Sequence, residues 1–146
     1  DAGLMGRYRL LGNLMEHLAA KRDTIEEIQE EVSPLNRYAD LEPVLREKLK
    51  EELKASIEAE YRRQRGQFLT GLQWWLRDVW LAALRQGREL LHFQDWADTS
   101  ETVGQRLTPG QALENLQSIE ATQRLLETTN VQEALALEVG LLKLKL

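Results

Sequence analysis

Few side chains in this sequence stand at spacings that do chemistry. Glu89-Leu-Leu-His92 has the Glu-x-x-His spacing that gives di-iron bundles two ligands per helix. Such a site needs a second copy and two further inward carboxylates. The other histidine, His17, has no such setting, so Glu89 and His92 read as a solvent-facing pair at a helix end. Glu26-Glu27 and Glu30-Glu31 resemble acid–base pairs, but adjacent residues on a helix diverge by about 100°, which makes them solvated surface. Tyr61-Arg-Arg-Gln-Arg65 could touch a phosphate backbone, yet Glu58 and Glu60 beside it favour ion pairing within the helix. The chain has no cysteine, no GxxxxGK[ST] loop and no GxGxxG turn. The expectation is a non-enzyme with no catalytic residue, no metal ligands and no cofactor.

The charges that do need explaining are embedded among apolar residues. In WWLRDVWLAAL (residues 74–84) Arg77 and Asp78 stand between tryptophans. On a helical wheel Phe68, Leu69, Leu72, Trp75, Leu76, Val79, Trp80, Ala82 and Ala83 fill one broad arc, a core face. Trp74 and Leu81 fall opposite, with Arg77 and Asp78 at the seams. A helix apolar on two sides is central in its domain or covers its second face with another chain, so Trp74 and Leu81 are the candidate partner-interface residues. In the last helix Glu138 sits amid Val131, Ala134, Leu135, Leu141 and Leu142. A buried carboxylate needs a partner. Arg77 is the first choice, giving a structural buried pair Arg77–Glu138, with Arg124 or Arg106 as alternatives.

Helices must position these residues, because strand signals are nearly absent. Leu4, Tyr8, Leu11, Met15, Leu18, Ile25 and Val32 recur at helical spacing and predict a helix over about 3–31, ended by Ser33-Pro34. Asp40 is the expected N-cap of the next helix, whose helix formers run to about Gln86, with Gly87 as the stop. Roughly 45 helical residues would reach about 65 Å, against roughly 40 Å for a compact domain of this size. That helix must break, at Gly66 or Gly71, or project. Its stripe Leu41, Leu45, Leu49, Leu53, Ile57 and Tyr61 suits the first helix folded back as a hairpin. Residues 92–108 read as a loop with one short helix. Thr108-Pro109 caps a helix to about Thr128 that buries Ala112, Leu116, Ile119 and Leu126. Asn130, with Glu133 three residues on, is the expected cap of a last helix to about Leu144. The fold class is therefore an all-α bundle of about five helices in one domain, 1–146: a charged hairpin over 1–67 and a bundle over 68–146.

The net charge of −5 argues against an autonomous nucleic-acid binder, and no apolar run is long enough to span a membrane. The chain opens at Asp1 without a signal-peptide pattern, so a carboxy-terminal piece of a longer cytoplasmic protein is expected.

WWLRDVWLAAL, then HFQDW, then LTPGQALENLQSIEATQRLLETTNVQEALALEVGLLKL resembles the carboxy-terminal domain of the bacterial clamp-loader delta-prime subunit of DNA polymerase III and its gamma/tau relatives. The resemblance covers about 68–146 and rests on Arg77-Asp78, Asp95, Leu125-Leu126, Asn130-Val131 and Leu135 to Glu138. It implies a helical collar that packs with other clamp-loader subunits, delta and gamma/tau, in DNA replication, without ligand or nucleic-acid binding of its own. A rival expectation is a helical ligand-binding domain of a regulator, with tryptophans lining a pocket.

Overall fold

A computed structural model describes residues 2–146. Five α-helices follow one another: α1 (Ala2–Val32), α2 (Pro43–Ala83), α3 (Ala97–Gly104), α4 (Pro109–Thr128) and α5 (Glu133–Leu142). Short 3-10 turns lie at Pro34–Asn36, Arg88–Leu90 and Gln94–Trp96, and no strand occurs among the described residues. The protein is an all-α helical bundle. No helix among the described residues is long and apolar enough to cross a membrane.

The chain forms two compact units, residues 14–67 and residues 2–13 together with 68–146. The start of α1 belongs with the bundle and not with the hairpin. Arg7 Nη1 donates to the Leu144 carbonyl at 3.0 Å. Gly66 and Gly71 do not interrupt α2, which is helical through both.

In residues 14–67, α1 and α2 run antiparallel. Ser56 Oγ donates to Gln29 Oε1 at 2.8 Å, and Arg22 Nη1 donates to Glu58 Oε2 at 3.1 Å. The Arg22 guanidinium also lies 3.9 Å from the Tyr61 ring centre, so a cation and its carboxylate close over a buried aromatic. Leu14, Leu18, Ile25, Tyr61 and Arg65 are the buried interior, and Ser33 is buried at the bend, where its Oγ accepts the Leu35 N–H. Asp40 is not the cap of α2. Glu42 precedes Pro43 and is steered out of the α region, so the helix cannot begin before the proline. Its first bond runs from the Arg46 N–H to the Glu42 carbonyl.

In the other unit the core is built from Leu69, Leu76 and Val79 of α2, Ala112, Ile119 and Leu126 of α4, and Ala136, Leu137 and Leu141 of α5. Leu116 is only half-buried; the position beside it, Asn115, is the one inside. Asn115 Nδ2 donates to the Lys145 carbonyl at 2.5 Å, and the Lys145 N–H donates back to Asn115 Oδ1 at 2.8 Å, pinning the chain after α5 to α4. Two glycines set the closest approaches. A Cβ on Gly104 would come within 2.8 Å of the Ala82 Cβ and 2.9 Å of the Ala83 nitrogen, and one on Gly140 would overlap Thr122 Oγ1.

The helix ends follow local chemistry, not always where expected. Thr108 heads a full capping box with Gln111. At the end of α2 the stop is Arg85, not Gly87: Arg85 has φ 58°, its N–H donates to the Ala82 carbonyl, and the Gln86 N–H reaches back to Leu81. That pair of bonds is a Schellman ending. Asn130 does not cap α5 either; Gln132 precedes it with no side-chain cap bond. Thr129 holds that turn instead, donating to the Leu125 carbonyl and accepting the Val131 N–H.

Candidate functional site

Asp78 is the charge inside. It has no exposed surface, and its two carboxylate oxygens accept the backbone N–H groups of His92 at 2.8 Å and Phe93 at 2.9 Å. A buried carboxylate is costly unless such donors surround it. These two bonds tie the connection after α2 to the last turns of the helix. The helical wheel carried the signal for this: the i−3 and i+4 neighbours of Asp78 are Trp75 and Ala82, both on the core arc.

Arg77 takes the outer position. Its side chain is 39% exposed, its Nη1 donates to the Leu90 carbonyl at 3.4 Å, and it stands 3.7 Å from Asp78 Oδ1. The expected Arg77–Glu138 pair is not made. Glu138 is half-buried and forms no ion pair among the described residues. The reason lies in α5, which is apolar on two sides. Its inner face is Ala136, Leu137, Gly140 and Leu141, and the side that carries Val131, Leu135 and Val139 faces outward.

That outward side continues onto α4. Leu125, Val131, Leu135 and Val139 are 40–56% exposed and line a groove of about 460 Å³ with Ala121, Gly140 and Lys143. The floor is narrow because Ser118 Oγ donates to the Gly140 carbonyl at 3.2 Å and Thr122 abuts the same glycine. The groove is otherwise lined mainly by aliphatic side chains; the hydroxyls of Ser118 and Thr122 donate to the Gly140 and Ser118 carbonyls, and Lys143 is its one charged residue.

The candidate interface pair Trp74 and Leu81 divides. Leu81 is half-buried beside the α2 ending, whereas Trp74 is 42% exposed. Trp74 stacks on His92 with ring centres 4.7 Å apart, His92 meets Phe93 edge-on at 4.6 Å, and Phe93 lies 4.9 Å from Trp96. Glu89 is exposed in the turn before this row, so Glu89 and His92 do not converge as ligands. No group of three His, Asp or Glu side chains is placed to hold a metal ion among the described residues. No family model, curated protein or solved structure matches this chain.

Proposed function

We propose that this chain is a non-catalytic oligomerisation domain, the collar of a DNA polymerase III clamp-loader subunit of the delta-prime or gamma/tau kind, acting in the cytoplasm during DNA replication. The observation that carries the reading is the aliphatic face of α4 and α5. Leu125, Val131, Leu135 and Val139 stand together in water, in the same segment whose sequence resembles the collar. Each buried Å² of such surface is worth about 25 cal/mol, so a partner that covers the face gains from it. The side chains exposed along it are mostly aliphatic, which suits helix packing. The partners would be the delta and gamma/tau subunits.

The test is sedimentation of the purified chain with delta and gamma/tau subunits from the same genome. Co-sedimentation as one species is expected. A chain that stays alone in every mixture would overturn the reading.

A further inference from the structure

A second surface has no part in the assembly face: the row Trp74, His92, Phe93, Trp96 beside α2. We propose that this aromatic row docks an extended, proline-containing segment of a partner protein that carries arginine or lysine between its prolines. The proposal does not rest on the clamp-loader reading, since it uses no residue of the α4–α5 face.

Four rings in unbroken contact, at 4.6–4.9 Å, form a ridge whose two ends are exposed tryptophans, Trp74 at 42% and Trp96 at 54%. Large aromatic surface left in water is characteristic of recognition sites, where tryptophan dominates the energy. The ridge is also fixed in advance. Asp78 holds the backbone of His92 and Phe93 from inside, and Gln94 Nε2 donates to the Leu91 carbonyl at 2.6 Å and the Arg88 carbonyl at 2.8 Å. A partner therefore has little order to impose on binding. A polyproline-type segment is itself stiff and has no internal hydrogen bonds, and its rings pack against exposed aromatic side chains.

Charge selects among extended partners. Residues 88–101 carry four carboxylates, Glu89, Asp95, Asp98 and Glu101, against one guanidinium, Arg88. Arg88 is already engaged by Asp98 and Glu101, both at 2.6 Å, which leaves Glu89 and Asp95 without an ion pair. At the other end the Arg77 guanidinium lies 5.5 Å from the Trp74 ring centre, its charge partly offset by Asp78 at 3.7 Å, so the cation-binding end of the row is the one with Glu89 and Asp95. Beside Trp74 a cleft of about 250 Å³ opens between α2 and α4, walled by Arg77, Leu116 and Glu120. The surroundings thus favour a cationic segment and repel the phosphates of a single-stranded nucleic acid, the other ligand that stacks on aromatic rows.

The experiment is tryptophan fluorescence of the whole chain titrated with a peptide of Pro-Pro-Arg repeats. Parallel titrations use Ala-Ala-Arg repeats, Pro-Pro-Glu repeats and oligo-dT. A saturable change with Pro-Pro-Arg is expected, with binding about tenfold weaker or worse when proline or arginine is replaced, the scale of an interface hot spot. Trp96→Ala, at an exposed position, should weaken binding by a similar factor, read by calorimetry with the circular dichroism unchanged. Glu89→Lys with Asp95→Lys should weaken it at low salt. No saturable change with Pro-Pro-Arg, equal binding of Ala-Ala-Arg, or tighter binding of oligo-dT would each overturn the proposal, the last by making the row a nucleic-acid surface.

Discussion

Asp78 turns a charge into a structural bolt, because both of its oxygens take backbone N–H donors from residues fourteen and fifteen positions away. Asp78→Ala leaves those two donors without their partner, at about 1–3 kcal/mol each where water cannot replace it. Chemical denaturation should show a loss of several kcal/mol, and the His92 and Phe93 amides should exchange faster. Asp78→Asn keeps one accepting oxygen and should cost less. Glu60 accepts from Arg63 and from Gln64, and those bonds, Arg63 first, draw its carboxyl from 4.5 down to about 2. The folded value lies below the unfolded one, so this contribution is present above about pH 4.5 and lost as pH falls toward 2. The Glu60 carboxyl carbon should titrate near the low end by NMR, and Arg63→Ala should return it toward the ordinary value. At single residues the sequence was legible for packing and misleading for charge. Leu69, Leu76 and Val79 sit inside as the core arc requires. The wheel puts Asp78 at a seam, and only its neighbours Trp75 and Ala82 on the core arc hint that it lies inside. Asn115 stands in the core register, three after Ala112 and four before Ile119, but no apolar stripe marks it, and its partner is the backbone of Lys145.

Among the elements, the ends of helices are where local chemistry decides. Arg85 holds a positive φ that glycine adopts without strain. Arg85→Gly should therefore be neutral or stabilising by up to about 1 kcal/mol, measured by thermal melting. A clear loss would mean that the arginine side chain contributes more than its backbone costs. The crossing of α4 and α5 makes the opposite prediction. Gly140→Ala places a methyl against Thr122, whose Cβ would lie 3.1 Å away, and overpacking of this kind costs about 1–3 kcal/mol. Thr122→Ala in the same chain should recover part of that loss; strictly additive effects would contradict the contact. The start at Pro109 was written in the sequence by its proline and by the box of Thr108 with Gln111, whereas Asp40 pointed to a start ahead of the one that Pro43 sets. The orientation of α5 was not written there. Both of its sides are apolar, so periodicity alone cannot choose between them. The small residues Ala136 and Gly140 mark the inner side, because close approach to Thr122 leaves no room for larger ones.

For the molecule as a whole, each unit has its own pattern of burial. In α2 no residue from Pro43 to Glu60 is buried, and ion pairs such as Lys50–Glu47 and Lys48–Glu52 lie at the surface, where each adds about 0.2–0.5 kcal/mol. Amides of 43–57 should therefore exchange faster than those of 112–141, which hold Ala112, Ile119, Leu126, Leu137 and Leu141 inside. Equal protection would mean that the hairpin is stabilised by contacts beyond those described. The helical hairpin was legible in the leucine stripe of α2, but its inner limit at residue 14 was not, because α1 runs on without a break. The exposed aliphatic groove of α4 and α5 was legible only as an excess of apolar residues, and the sequence drew attention instead to Trp74 and Leu81. The most direct measurement is hydrogen exchange of this chain with and without delta and gamma/tau subunits, read residue by residue. The collar reading predicts new protection concentrated in residues 117–143 around Leu125, Leu135 and Val139. Unchanged exchange there, with protection confined to 14–67 or absent altogether, would contradict it.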